Sequence, residues 1–289
     1  MVSVNQRNSA HRPRVGIIAG GGKLPLNLAK NLKSQGQNPF LLLIKGEADP
    51  KEYSEFPYVE FAITKVGKFL KALAAEKCEL VTLVGPVTRP DFKNIFPDFE
   101  GLKLLARIGT APKKGDDGLL RAISAYIEEK GFRIVGAHEL NADLLPDIGT
   151  LGQIEPSADD LADIAEGQRV VYAIGALDIG QAVIIRDKYV LGVEAAEGTD
   201  GLVKRCGDFA RDKPAGVLVK LSKPGQDLRT DMPTIGIETI RQLSHSKLKG
   251  VAIEAGACLL LNRDETIKMA NELGLFIYGV STENKKGSS

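Results

Sequence analysis

Residues 14–44 constrain the fold more than any other stretch of this chain. Arg14-Val-Gly-Ile-Ile-Ala-Gly-Gly-Gly-Lys-Leu-Pro25 reads as a buried strand running into a glycine-rich turn. A helix is expected over residues 26–35, closed by Gly36, and Phe40-Leu-Leu-Leu-Ile44 reads as a second buried strand. Two apolar runs flanking one helix form a βαβ unit, which commits this part of the chain to a parallel sheet. The alternation continues with an amphipathic helix over 65–77, the strand Leu80-Val-Thr-Leu-Val84, a loop over 85–90, a helix over 119–130 and the strand Arg133-Ile-Val-Gly136. The expected fold class is α/β.

Gly20, Gly21 and Gly22 permit a ligand to approach the backbone, and the following helix start offers N–H groups and a partial positive charge. That combination suits a phosphate or pyrophosphate; a turn serving only the backbone is an equal alternative. The G-x-G-x-x-G fingerprint of dinucleotide binding fails, because Pro25 stands where its third glycine belongs. Asp116 and Asp117, just before the helix over 119–130, suit either a ligand or a helix cap. His138 is a candidate acid or base, but a lone histidine is more often structural.

Residues 144–157 are rich in turn formers and lack periodicity, so the interdomain connection is expected there. Ser157, with Asp160 three residues on, caps a helix over 157–175. The second half then reads as a mixed sheet: a strand over 178–185, a hairpin through Arg186-Asp-Lys188, and strands over 189–193, 216–222, 250–255, 258–261 and 275–280. Helices are expected over 201–208, 237–243 and 263–273. Glu254 lies inside an apolar run, which makes it the carboxylate expected to be buried.

Composition closes off several classes of function. The 289 residues carry a net charge of +1, which gives no bulk attraction to nucleic acid or to an anionic surface. The three cysteines are far apart in sequence and fit no zinc spacing; they suit a reducing compartment. No apolar run approaches the length of a membrane span, and residues 1–14 do not resemble a secretory signal, so a cytoplasmic protein is expected.

The chemistry concentrates in two polar segments that follow strands. Glu194-Ala-Ala-Glu-Gly-Thr-Asp200 holds two glutamates, a threonine and an aspartate in seven residues, costly to bury without a cation or donors. Residues 223–236, Lys-Pro-Gly-Gln-Asp-Leu-Arg-Thr-Asp-Met-Pro-Thr-Ile-Gly, lack any hydrophobic period, and Asp227, Arg229 and Asp231 are close enough in sequence to share one ligand. No Ser/His/Asp or Cys/His arrangement is present. Oxygen donors from Glu194, Glu197, Asp200, Gln226, Asp227 and Asp231 favour a hard cation such as Mg²⁺, and Lys223 and Arg229 supply positive charge. The natural reaction class is phosphoryl transfer or phosphate-ester hydrolysis.

The ordered motifs resemble one family, the LpxI-type UDP-2,3-diacylglucosamine pyrophosphatases of lipid A biosynthesis. In the first half they are Gly16-Ile-Ile-Ala-Gly-Gly-Gly-Lys-Leu-Pro25, Gly46-Glu-Ala-Asp-Pro50, Arg89-Pro-Asp-Phe92, Lys114-Gly-Asp-Asp117 and Gly136-Ala-His-Glu139. In the second half they are Leu177-Asp-Ile-Gly-Gln181, residues 193–200, Lys223-Pro-Gly-Gln-Asp227, residues 229–236 and Gly274-Leu-Phe276. Each is weak alone; in this order, over residues 15–280, they are specific. As departures, Asn262 stands where relatives often carry Asp, and Met232 replaces a common Leu.

The resemblance implies a Rossmann-like lid over residues 15–143, a linker over 144–157 and a catalytic α/β domain with a mixed sheet over 158–280, between flexible ends at 1–14 and 281–289. It implies Mg²⁺-dependent hydrolysis of a lipid-linked UDP-sugar bound between the domains, giving UMP and 2,3-diacylglucosamine 1-phosphate (lipid X). Asp231 is implied as the key catalytic carboxylate, with Asp200 and Gln226 beside it and Asp231, Glu194 and Glu197 around the metal. Gly20, Gly21, Gly22, Lys114, Gly115, Asp116, Asp117, Gln181, Thr199, Lys223, Arg229 and Thr234 are the implied substrate contacts. A lipid substrate implies peripheral contact with the inner face of the inner membrane, and a homodimer is compatible with this reading. Two alternatives stand beside it: a nucleotide-dependent oxidoreductase, suggested by the first βαβ unit, and a non-catalytic binder of a UDP-sugar or lipid.

Overall fold

A computed structural model of the chain describes residues 12–88, 96–109 and 116–281. Residues up to Asn141 form one compact unit, and those from Ala142 form a second.

In the first unit the apolar run Val15–Ala19 is β1, buried throughout. It is followed by α1 (Leu24–Ser34), β2 (Phe40–Ile44), β3 (Tyr58–Phe61), α2 (Val66–Ala75) and β4 (Leu80–Val84). Then come α3 (Phe99–Gly109), α4 (Asp116–Glu129), β5 (Arg133–Ile134) and α5 (Ala137–Leu140). The sheet order is β3-β2-β1-β4-β5, and every pairing is parallel. This is the doubly-wound order, with chain reversal at β1 and β4. Alternate residues separate its two faces: Ile18, Leu42 and Phe61 pack with α2, α3 and α4, while α1 buries Leu28, Ala29 and Leu32 against β1 and α5. The elements least visible in the sequence are β3, an edge strand with Tyr58 43% exposed, and α3, which buries only Gly101 and Leu104. Strand β3 is only four residues long, and α3 keeps an amphipathic pattern but leaves Phe99 and Leu102 on the surface. Burial pushes the Cys78 thiol up to about 11, the environment of an inert core cysteine.

The second unit starts earlier than expected. Residues 144–157 are not a free connector: Leu144 is buried, Gly149–Thr150 forms β6 on the sheet edge, and Leu151 enters the core. The elements that follow are α6 (Ala158–Ala176), β7 (Ala182–Arg186), β8 (Tyr189–Val193), α7 (Gly198–Cys206), β9 (Val217–Lys220), β10 (Thr234–Ile235), α8 (Ile237–His245), β11 (Gly250–Glu254), β12 (Leu259–Leu260), α9 (Arg263–Glu272) and β13 (Phe276–Val280). The main sheet runs β6-β13-β11-β9-β7-β8, with β9, β11 and β13 parallel and β7 antiparallel to both neighbours. One face packs on α6 through Val171, Val183 and Val219; the other packs on α7, α8 and α9 through Leu202, Leu218, Leu243 and Val251. The architecture is therefore α/β, with a five-stranded parallel sheet in the first unit and a six-stranded mixed sheet beside the short β10-β12 pair in the second.

The local chemistry follows the sequence. Ser157 and Asp160 close a capping box at the start of α6, and Lys249 Nζ lies 2.8 Å and 3.1 Å from the two Asp160 oxygens. Burial pushes the Asp160 carboxyl up, but the bonds from Lys249 and Ser157 outweigh it and hold it below the ordinary value. A carboxyl lowered by folding stabilises above its unfolded pKa and loses that contribution as pH falls through the folded one. Removing the ammonium leaves only the Ser157 bonds against burial, so Lys249→Met should raise the midpoint of acid unfolding, read by circular dichroism. Lys249 is 39% exposed, so the cost at neutral pH is about 1–2 kcal/mol.

Candidate active site

Strand direction brings the site together. The ends of β9 and β11 lie side by side, and the start of antiparallel β7 and the end of β8 fall at that same sheet edge. Residues 177–181, 194–199, 222–236 and 254–258 are thereby gathered where α/β sheets hold ligands.

Leaving β9, the chain turns over Pro224 and Gly225, whose φ of 72° suits glycine. The Lys223 N–H donates to Gln226 Oε1 at 2.8 Å, and the Gln226 N–H donates to the Lys223 carbonyl. With Oε1 facing a donor, the Gln226 amide must present its NH₂ elsewhere, and Nε2 lies 2.7 Å from Asp231 Oδ2. Nε2 also reaches Gln181 Oε1 at a long 3.5 Å. Gln226 thus sets the orientation of Asp231, and among the described residues it is the side-chain donor placed on that carboxylate. Thr234 is half-buried; its hydroxyl donates to the Met232 carbonyl, and its own carbonyl accepts from buried Lys220. The end of this loop is less irregular than expected, because Thr234–Ile235 pairs with Leu259–Leu260 as a short parallel ladder.

Other predicted residues are placed differently. Arg229 does not join Asp231: its Nε and Nη2 grip the two oxygens of Asp227 at 3.0 Å and 2.8 Å. Lys223 Nζ lies 2.8 Å from Asp178, a residue in the left-handed region at φ 56°. Glu194 is 6% exposed and faces two donors, the Gln181 N–H on Oε2 at 2.8 Å and the Thr199 hydroxyl on Oε1 at 2.6 Å. Glu197 turns to Arg205 at 2.8 Å, and that bond holds its carboxyl below the ordinary value. Asp200 is exposed in the first turn of α7, beside a surface groove that it shares with Lys204, Gln242 and His245.

The expected metal set of Asp231, Glu194 and Glu197 is accordingly not a cluster; among the described residues no three His, Cys, Asp or Glu side chains come together to hold a metal. Two of the three carboxylates already have partners closer to hand. An Mg²⁺ ion, however, needs only one or two protein carboxylates when the substrate brings phosphates, and Asp231 fits that requirement.

At the glycine turn the structure favours the backbone-serving reading over a phosphate contact at Gly20 and Gly21. The Gly20 N–H donates to the Val84 carbonyl and the Gly21 N–H to Pro86, each at 2.8 Å, so neither is directed at a phosphate. A Cβ on Gly20 would lie 2.5 Å from the Pro86 oxygen, so packing of one loop on the next requires that glycine. Lys114 and Gly115 lie outside the described residues, as do Arg89-Pro-Asp-Phe92 and the side chains of Asp116 and Asp117. Burial pushes the His138 imidazole down, with Glu139 partly opposing, consistent with its placement in α5 as a structural residue. Asn262 occupies the left-handed region at φ 46° before α9, a conformation asparagine tolerates.

One supporting residue lies deeper. Glu254 is fully buried at the end of β11, and its Oε2 accepts the Ser222 N–H at 2.7 Å and the Ser222 hydroxyl at 2.5 Å, anchoring the root of the 223–226 turn. Burial, and secondarily this carboxylate, push the Tyr172 phenol up. Burial also pushes the neighbouring Cys258 thiol up to about 12, which removes it as a nucleophile. Glu254→Ala would strand the buried Ser222 N–H and should lower stability by about 2–4 kcal/mol. Ser222→Ala keeps the N–H bond and should cost about 1 kcal/mol. Urea unfolding of the two variants measures the difference.

What fold and site define is a class: a two-unit α/β protein whose second unit carries a carboxylate–amide site at its strand ends. The family model described as the LpxI N-terminal domain matches residues 14–144, and that described as the LpxI C-terminal domain matches residues 147–278. A curated Caulobacter vibrioides protein, "UDP-2,3-diacylglucosamine pyrophosphatase LpxI", is 39% identical over 278 residues, covering 94% of this chain and 99% of its own. The chain belongs to the LpxI family. Among solved structures, an isoflavone reductase aligns over 96% of this chain and 83% of its own at 12% identity, with a TM-score of 0.27 that is too low to bear on function or fold.

Proposed function

We propose that this chain is a hydrolase that cleaves the pyrophosphate bond of UDP-2,3-diacylglucosamine in lipid A biosynthesis, releasing UMP and 2,3-diacylglucosamine 1-phosphate. The observation that carries the reading is Asp231, oriented by Gln226 at 2.7 Å in the loop between β9 and β10, in a chain of this family. Asp231, with the two substrate phosphates, would hold Mg²⁺. When bound, the ion polarises the phosphoryl oxygens and makes water more acidic. Lys223 and Arg229, on the same loop, balance the charge of the phosphates. Lys223 pairs with Asp178 and Arg229 with Asp227, each at 2.8 Å.

In this reading water attacks the phosphorus on the sugar side. The bond from that phosphorus to the bridging oxygen breaks, and the oxygen leaves on UMP. Hydrolysis in ¹⁸O-water should therefore label the sugar 1-phosphate and leave UMP unlabelled. Label in UMP would reverse the point of attack, and absence of both products with Mg²⁺ present would remove the assigned reaction. No helix among the described residues is long and apolar enough to cross a membrane, so a cytoplasmic enzyme would meet its lipid substrate by peripheral contact with the bilayer.

The oxidoreductase alternative is weakened by a particular feature. The amides of Gly20 and Gly21, which a dinucleotide pyrophosphate would need, are bonded to Val84 and Pro86.

A further inference from the structure

We infer that Glu194 is a positioning residue, not a metal ligand: it fixes Gln181, and through Gln181 the Gln226–Asp231 pair. The inference deepens the reaction proposed above and rests on it for its kinetic arm.

The geometry is that of a peg between strands. Glu194 follows β8, and its N–H donates to the Ala182 carbonyl at 2.8 Å, continuing the β7–β8 ladder by one residue. Its carboxylate then turns back over the start of β7, where Oε2 takes the Gln181 N–H and Oε1 takes the Thr199 hydroxyl. The Gln181 carbonyl is fixed from the opposite side by the Leu221 N–H at 3.0 Å, at the end of β9. Gln181 is thus held at both backbone polar groups, between two strands, and its side chain meets Gln226 on the far side. A run of contacts joins Thr199, Glu194, Gln181, Gln226 and Asp231, with short hydrogen bonds at every link except the long 3.5 Å approach of Gln226 to Gln181.

The chemistry of the donors distinguishes the two roles. An ionised carboxylate only accepts hydrogen bonds, which suits a residue facing an N–H and an O–H. Burial at 6% exposure is tolerable because both oxygens meet donors. An amide can serve the same geometry: Oε1 accepts from Gln181, and the NH₂ donates to the Thr199 hydroxyl oxygen. A Mg²⁺ ligand changed in this way keeps an oxygen but loses its negative charge, which weakens metal binding and raises the Mg²⁺ requirement.

The test compares Glu194→Gln, Glu194→Ala and Thr199→Val with the parent in the full chain. It reads kcat, KM, the Mg²⁺ concentration for half-activation, and hydrogen–deuterium exchange of peptides covering 177–183 and 223–231. Glu194→Gln should keep kcat within about 3-fold and the parental Mg²⁺ requirement, whereas Glu194→Ala should lose about 10–100-fold in kcat with little change in KM. Exchange should rise in both peptides in the alanine variant, less in Thr199→Val, and in neither for glutamine. A glutamine variant as damaged as alanine, with a raised Mg²⁺ requirement, would make Glu194 a ligand and overturn the inference. Exchange confined to 177–183 with parental kcat would reduce it to a local prop. If the parent does not hydrolyse the substrate at all, the proposed reaction fails, and the exchange pattern alone still decides whether Glu194 reaches the 223–231 loop. If the alanine variant does not fold, Glu194→Gln and Thr199→Val still separate a positioning residue from a ligand.

Discussion

Asp231→Ala is expected to lower kcat/KM for UDP-2,3-diacylglucosamine by about 10³-fold or more, which corresponds to at least about 4 kcal/mol of transition-state stabilisation. The size follows from the lack of a substitute nearby. Glu194 is occupied by Gln181 and Thr199, Asp227 by Arg229, and Glu197 by Arg205. Asp231 is only half-buried, so its removal leaves the Gln226 amide within reach of water and should change stability by less than about 1 kcal/mol. Asp231→Asn separates charge from shape: it can still accept from Gln226, and an equal loss of activity would assign the effect to the negative charge. Release of UMP at a parental rate by either variant would remove Asp231 from the chemistry.

Gly180→Ala should have the next largest effect, for a steric reason. A Cβ at residue 180 would lie 2.2 Å from the Glu194 carbonyl oxygen and 2.8 Å from its carbonyl carbon. Both are backbone atoms of a residue whose own N–H is bonded to Ala182, so no side chain can swing aside. Relief requires the start of β7 to separate from the end of β8, which pulls the Gln181 N–H off the Glu194 carboxylate. We expect a stability loss of about 1–3 kcal/mol, and a fall in kcat like that of Glu194→Ala in the protein that remains folded. Thermal unfolding and steady-state kinetics on the same preparation measure the two effects. Parental kcat in Gly180→Ala would show that the loop tolerates displacement.

Much of the fold was legible in the chain. Strands β1, β2 and β4 occupy the apolar runs that marked them, because a buried strand needs a short, continuous apolar segment. The α6 cap was visible in Ser157 and Asp160, since capping is a contact between residues three apart. The local bonding of the 223–231 loop follows from the chain as well, because Lys223, Gln226 and Asp231 lie within nine residues of one another.

The order of residues was enough to establish the alternation of elements, the fold class, the burial of Glu254 and the polar residues of the two loops. Which of those residues face one another emerged only when the sheets were assembled. Glu194 and Glu197 are three apart and look equivalent as ligands, yet one is clamped by a backbone N–H from a neighbouring strand and the other by an arginine on its own helix. The glycines at 20 and 21 likewise looked free for a phosphate until Val84 and Pro86 were placed opposite them. Hydrogen bonding along the chain is set by spacing, whereas partners across a sheet are set by strand register, which no single segment contains.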